Sequence, residues 1–264
     1  MIPDPSGLTF NNDGTKMFVS GSTGAGVAEY TLSTAFDVST ASHVDTLSVS
    51  AQDTYPKGHA FNSDGTKMFV VGLTGKDVNE YTLSTGFDVS TASFVDSFSV
   101  SSQETAPVGI TFNTDGTKMF VIGHSGADVN EYTLSTGFDV STASYDSNFS
   151  VSSQEIYPSS VTFSNDGKKM FVIGINDDEV NEYSLSTGFD VSTASFVGNF
   201  SVSPGVPAPN CLAFNNDGTK MFVGDHLGKD INEYTLTTPF SLVNVSGEHT
   251  GLSLIHISEP TRLV

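Results

Sequence analysis

The chain has 264 residues, of which 30 are acidic and 10 basic, and a net charge of −20. A surface of that sign repels phosphate backbones and anionic lipid heads, so nucleic acid and membrane surfaces are poor partners, whereas calcium, other cations or a basic partner fit; acidity is also an ordinary means of staying soluble. No stretch approaches the roughly 20 apolar residues of a membrane-spanning helix, and Cys211 stands alone, with no partner for a disulfide and a small buried role expected.

Met1-Ile2-Pro3-Asp4-Pro5 runs directly into the first repeat without a leader, the pattern of a cytoplasmic protein or of a gene whose front is missing. From there one unit dominates. Lys-Met-Phe-Val recurs five times, with Met17, Met68, Met119, Met170 and Met221 each 51 residues apart, and repeats begin near 7, 58, 109, 160 and 211. In the second copy, Gly58–Phe61 is a short apolar strand and Asn62-Ser63-Asp64-Gly65 a tight turn, because glycine accepts the positive φ that such turns demand. Lys67–Gly72 is a second strand whose Met68 and Val70 face one way and Phe69 and Val71 the other. Leu73–Asp77 is a polar loop, Val78–Leu83 a third strand and Ser84–Ser93 a connection. Phe94–Ser101 is the fourth strand, with Phe94, Phe98 and Val100 on one side. Both faces of the second strand are apolar, as in a sheet sandwiched between two others. Four antiparallel strands per repeat of this length make an all-β propeller, a single array over residues 1–251, with about five blades present and a larger ring left open.

Residues 252–262, Leu-Ser-Leu-Ile-His-Ile-Ser-Glu-Pro-Thr-Arg, resemble the translation of a transposase sequencing adapter, and Arg262 is the only arginine in the chain. Residues 252–264 are therefore expected to be non-native and the chain a fragment whose gene continues.

Residues present in every copy serve every blade. Asp13, Asp64, Asp115, Asp166 and Asp217, each followed by glycine, read as turn-formers; Tyr30, Tyr81, Tyr132, Tyr183 and Tyr234 as packing aromatics; Asp37, Asp88, Asp139 and Asp190 as Asx-type turns. Functional candidates lie where copies differ. A four-stranded meander puts the second-to-third loop and the blade-to-blade connector on one face. There Asp53, Glu104 and Glu155 follow glutamines, Asp77, Asp128, Glu179 and Asp230 precede the third strand, and His124 and His226 interrupt the loops. Asn176-Asp177-Asp178-Glu179 is the most acidic patch, a candidate calcium or other cation site beside the plain alternative of a solvated loop. A metal shared by His124 and His226 needs more ligands than these.

No Gly-x-Ser-x-Gly elbow, His-Glu-x-x-His helix or phosphate-cradling loop occurs. Residues 79–93 and 130–144 are identical, so the blades have specialised little.

The frame Pro-x-Gly-(Ile/Leu)-x-Phe-x-x-Asp-Gly-x-Lys-Met-Phe-Val, followed by Val-x-x-Tyr-x-Leu-Ser-Thr, resembles bacterial propellers of the YVTN and TolB-like, WD-repeat-like type over residues 5 to about 240. Copies with Tyr-Thr-Leu-Ser-Thr-Gly-Phe-Asp-Val-Ser-Thr-Ala-Ser also resemble repeat proteins of marine microbes and phages. The resemblance implies a fold more than a function. The expected role is non-catalytic binding or display of a protein or carbohydrate partner through the acidic loop face, on a secreted, cell-surface or virion protein. The rival is a lactonase-like hydrolase with a cation held at the central mouth by residues such as Asp53, Glu104, Glu155 and His59.

Overall fold

A computed structural model describes residues 4–203, 205–243, 245–246 and 252–253. Each repeat forms one antiparallel meander. Blade 1 is β1 (Gly7–Phe10), β2 (Lys16–Gly21), β3 (Gly26–Leu32) and β4 (Ala41–Ser48); blade 2 is β5 (Pro56–Phe61), β6 (Lys67–Gly72), β7 (Asp77–Leu83) and β8 (Ala92–Ser99). Blade 3 is β9 (Pro107–Phe112), β10 (Lys118–Gly123), β11 (Asp128–Leu134) and β12 (Ala143–Ser150), and blade 4 is β13 (Pro158–Phe163), β14 (Lys169–Gly174), β15 (Glu179–Leu185) and β16 (Ala194–Ser201). Blade 5 comprises β17 (Pro209–Phe214), β18 (Lys220–Asp225) and β19 (Asp230–Leu236), against whose outer edge pair both β20 (Val245–Ser246) and β21 (Leu252–Ser253). Apart from that last pair of residues, the segment expected to be non-native lies outside the described residues.

The local geometry follows from the repeated residues. Gly14 turns the first hairpin at φ 70°, and a Cβ there would sit 2.2 Å from the Phe36 ring, so glycine is required both for conformation and for space. Phe36 is itself held at φ 55°, a costly conformation for a bulky residue, and is fixed there by its N–H bond to Gly14 O (2.9 Å) and by ring packing. Asp37 then accepts from Ser39 N and caps a single 3-10 turn, Val38–Thr40, the expected Asx-type turn.

Each blade interface buries one apolar cluster. Met68 and Val70 pack toward blade 1 and Phe69 and Val71 toward blade 3, all essentially inaccessible. A triad of phenylalanines marks each seam: Phe18 of blade 1 lies 4.5 Å from Phe61 and 6.1 Å from Phe87 of blade 2. The fourth strand departs from expectation. It starts two residues earlier, and a β-bulge opposite Glu80/Tyr81 inserts Val95. One extra residue flips the alternation, so Phe94 packs edge-on against Tyr81 of its own blade and Phe98 against Tyr132 of the next; they do not share a side.

The ring closes on five blades. Phe222 of blade 5 meets Phe10 (4.6 Å) and Phe36 (6.5 Å) of blade 1, repeating the triad, and Cys211, buried as expected, joins Leu8 and Tyr30 in the closing cluster. Asn210 Nδ2 donates to Pro5 O (3.2 Å), and Asn216 Nδ2 donates to Asn12 O. In this structure the faces that a larger ring would leave open, those of blades 1 and 5, are packed on each other.

A charged clamp crosses every seam. Lys16 Nζ bonds Glu29 Oε1 (2.7 Å) and reaches Phe87 O of blade 2 (2.6 Å), while Glu29 Oε2 accepts from Val89 N (3.0 Å). The pairs Lys67–Glu80, Lys118–Glu131 and Lys169–Glu182 repeat this toward Val140 N, Val191 N and Leu242 N. Lys220 pairs with Glu233 and completes the circle on Phe36 O (3.0 Å).

Candidate functional site

The meander sorts the loops as expected. Asp-Gly hairpins and third-to-fourth connections lie on one face; second-to-third loops and blade connectors lie on the other, the loop face. Between them the innermost strands surround an axial cavity of about 320 Å³ that extends to the hairpin-face residues Asn12, Asn62 and Asn113; its wall holds hydroxyls (Thr9, Thr111, Thr162), His59 and phenylalanines such as Phe10, Phe61 and Phe112, with no Asp, Glu or Lys.

On the loop face the structure brings Asp53, Glu104 and Glu155 to equivalent places, buried to 1%, 0% and 0% exposure. Their oxygens face inward. Asp53 accepts from Tyr55 N (2.6 Å), Thr74 N (3.1 Å) and Gly75 N (2.9 Å); Glu104 accepts from Ala106 N (2.6 Å), Ser125 N (3.2 Å) and Gly126 N (3.0 Å). Glu155 Oε1 accepts from Tyr157 N (2.7 Å); its Oε2 has no hydrogen-bond partner, and burial lifts its pKa against the opposing pull of the Tyr157, Asn176 and Asp177 amides. These carboxylates are latches that tie each connector to the second-to-third loop.

Asp4 does the same in blade 1, accepting from Ser22 Oγ (2.6 Å) and Thr23 N (3.1 Å). Blade 5 has Val206 where the others carry the acid, and Asp225 where they carry glycine. A Cβ on Gly72, Gly123 or Gly174 would meet the latch carboxyl at 2.4–2.6 Å, so acid and glycine must exchange together. Asp225 Oδ1 accordingly holds the loop from its other side, through Leu227 N (2.9 Å).

The acids before the third strands are tied by asparagines. Asp77 accepts from Asn79, Asp230 from Asn232, and Asp128 from both Asn130 (2.8 Å) and Asn148 (2.6 Å). Burial raises the pKa of Asp77 and Asp128, and the neighbouring charges of Asp53 and Glu104 add to it. Glu179 is one methylene longer, reaches Asn199 instead, and leaves the buried side-chain amide of Asn181 with no hydrogen-bond partner. Asp177 is exposed and accepts from Asn176 Nδ2 (2.7 Å); Asp178 sits at φ 53°, its pKa raised first by burial and then by Asp225 and Asp177. Among the described residues no three His, Cys, Asp or Glu side chains gather in a way that could hold a metal ion.

The histidines separate into two kinds. His59 is buried between blades 1 and 2, its Nε2 2.8 Å from Thr9 Oγ1 and its Nδ1 2.8 Å from Ser20 Oγ, and burial pushes its pKa down to about 3. With both nitrogens engaged, it is a structural bridge. His124 and His226 lie in loops whose amides bond Ala106 O and Ala208 O just before innermost strands, which puts them at the axial mouth. His124 Nε2 and His226 Nδ1 are buried atoms without a partner. Burial lowers the pKa of His124, the Lys57 ammonium lowers it further, and Glu104 opposes both.

Three further mouth residues were not candidates on sequence grounds. Tyr55 and Tyr157 precede the prolines that open β5 and β13 and are 44% and 48% exposed. Lys57 lies over the Tyr55 ring (4.7 Å), and Tyr157 meets His124 edge-on (6.1 Å, 87°). The available signal was variation: the residue before that proline reads Tyr55, Ala106, Tyr157, Ala208 along the chain.

No protein-family model matches the chain, and no curated protein matches it in sequence. Solved structures match in fold. A functionally unknown protein from Desulfotomaculum acetoxidans is 17% identical at TM-score 0.56, covering 94% of this chain and 72% of its own. The Pseudomonas aeruginosa periplasmic gluconolactonase is 15% identical at TM-score 0.53, covering 94% and 70%. A candidate 6-phosphogluconolactonase from Bacteroides uniformis is 15% identical at TM-score 0.54, covering 95% and 71%. At these identities the chain shares their fold, a β-propeller built of repeats.

Proposed function

We propose that this protein is a non-catalytic binding propeller that recognises a carbohydrate or protein partner through the mouth of its loop face. One observation carries the reading. The repeated charged groups are engaged internally, in latches and clamps, while the exposed Tyr55 and Tyr157 and the unpartnered nitrogens of His124 and His226 sit beside the loop-face starts of innermost strands. Exposed aromatics beside polar groups without partners are a recognition surface, since tyrosine supplies a rigid apolar face with a polar tip. A Ser/Thr-rich, nearly arginine-free chain fits a secreted, cell-surface or virion setting, as does the likeness of its repeat frame to the YVTN and TolB-like type.

The test is glycan- and protein-array binding by the purified chain. Tyr55→Ala and Tyr157→Ala should abolish the signal, and Phe94→Ala on the outer rim should leave it unchanged; the reverse pattern sinks the reading.

The second reading is a lactonase-like hydrolase, supported by the unpartnered His124 Nε2 at the mouth and by the names of two fold neighbours. It requires lactone turnover that disappears in His124→Ala. Against it stand the burial of Asp53 and Glu104 under backbone amides and the engagement of both His59 nitrogens.

A further inference from the structure

Resting on the binding reading, we infer that the axial mouth is a subsite for one carboxylated sugar ring, with Lys57 as its carboxylate partner, His124 as its hydroxyl partner and Tyr55 and Tyr157 as its walls.

Of the ten basic residues, five lysines are held in the seam clamps. Lys57 stands apart. It is the second residue of the innermost strand of blade 2, at the loop-face end, forms no ion pair among the described residues, and is held over the exposed Tyr55 ring at 4.7 Å. Such an ammonium is available to a carboxylate, and charge-assisted bonds of that kind are the stronger class of hydrogen bond. The carboxylates that would compete for it are closed: Asp53 and Glu104 turn their oxygens onto the Thr74, Gly75, Ser125 and Gly126 amides. An anion arriving at the mouth of this acidic protein therefore meets a local cation, and beyond about 8 Å the remaining negative charge is screened at physiological salt.

His124 adds the second contact. It lies close enough to Lys57 to feel its charge, and its Nε2 is buried without a partner, a state that costs free energy until a ligand hydroxyl fills it. The Tyr157 ring stands edge-on to the imidazole at 6.1 Å, and with Tyr55 provides apolar faces for the C–H side of a pyranose. A uronic acid carries all three features in one ring: a carboxylate, hydroxyls and an apolar face.

The experiment is calorimetric titration of the full chain with α-1,4-linked tri-galacturonate, its methyl ester, maltotriose and inorganic phosphate. The acid trimer should bind about tenfold tighter than the ester, the equivalent of one charge-assisted contact. Lys57→Gln should bring the acid down to the level of the ester, His124→Ala should weaken acid and ester alike, and Lys168→Gln on the opposite face should change nothing. Equal binding of acid and ester by the unaltered protein overturns the subsite without need of any variant, and so does an acid preference that survives Lys57→Gln. Binding of phosphate at the affinity of the acid trimer overturns the sugar assignment. If neutral glycans or a protein bind while the acid trimer does not, the subsite fails and the binding reading stands; lactone turnover sinks the binding reading itself.

Discussion

The seam clamps make an asymmetric prediction. In the Lys118–Glu131 pair the glutamate side chain is 1% exposed and the lysine 27%, so the two partners lose different things when separated. Lys118→Met leaves a buried carboxylate whose remaining partner is Val191 N at 2.9 Å. Stranding a buried charge costs about 3–5 kcal/mol, and the surviving N–H bond puts the expected loss at the low end, about 3 kcal/mol. Glu131→Gln keeps an oxygen for Val191 N and leaves Lys118 partly hydrated and bonded to Phe189 O (2.8 Å). Its loss should be about 1 kcal/mol, the scale of one charge-assisted bond partly replaced by water. At about 2–4 °C per kcal/mol for a chain of this size, the melting temperature should fall by about 6–12 °C in the first variant and about 2–4 °C in the second. The double variant should melt near Glu131→Gln, because no charge is stranded. Calorimetric melts at low and high salt provide the assay, and the difference should persist at high salt since the glutamate is shielded from counterions. If Lys118→Met is no more damaging than Glu131→Gln, or high salt erases both effects, the clamps are ordinary surface pairs and the seam rests on the phenylalanine triads alone.

The latch exchange in blade 5 should be reproducible: Asp225→Gly alone lowers the melting temperature by removing the acceptor of Leu227 N, Val206→Glu alone lowers it by crowding Asp225, and the double variant recovers most of the loss in a double-mutant cycle. The hairpin aspartates should govern the acid limb of stability. Asp64 accepts from Thr66 N (2.9 Å) and Oγ1 (2.5 Å), bonds that hold its pKa below the ordinary 3.8, as in the other four copies. The folded-state pKa is depressed, so this stabilisation is complete above the unfolded value and disappears as pH falls through the folded one. Asp64→Ala should therefore be destabilised at pH 7 and converge with the parent as pH falls well below the ordinary 3.8 in denaturant titrations. His59, with its pKa pushed down to about 3, should keep flat imidazole NMR shifts from pH 8 to 5. Because the unfolded chain takes up that proton near pH 6.5 and the folded one does not, His59 should make stability rise with pH between about 3 and 6.5; a histidine titrating near 6.5 in the folded protein refutes the bridge.

The parts legible in the sequence are those a single repeat contains: the Asp-Gly turn, the two-faced Met-Phe-Val strand, the buried tyrosine and the Asx turn. What escaped depends on contacts between copies. Lys16 and Glu29 read as ordinary strand residues because their backbone partners, Phe87 and Val89, lie one period plus several residues ahead. Asp53 and Glu104 read as exposed loop acids because nothing local announces that Gly72 and Gly123 leave space for a carboxyl; only the joint change at 206 and 225 records that fit. The Val95 bulge escaped because alternation looks regular until an extra residue is placed opposite Glu80/Tyr81. Tyr55, Lys57 and Tyr157 escaped because nothing within one repeat tells which residues flank the starts of the innermost strands beside neighbouring blades.

Closure and the proposed recognition draw on different positions, and the ring geometry explains why they can. Closure uses residues that point sideways from a blade, toward one neighbour: the phenylalanine triad, the clamp and the clusters on either side of the second strand. Each must be repeated five times, and blade 5 must present to blade 1 what every other blade presents to its neighbour, as Phe222 and Lys220 do. Positions at the loop-face ends of the innermost strands point to the axis, where all copies meet. There repetition brings no packing advantage, and one substitution in one blade changes the shared site. Lys57 and Tyr55 of blade 2 stack on each other, and His124 of blade 3 meets Tyr157 of blade 4. A nearly uniform array can thus hold an asymmetric site without disturbing any seam, which is why little divergence between repeats is compatible with specific recognition.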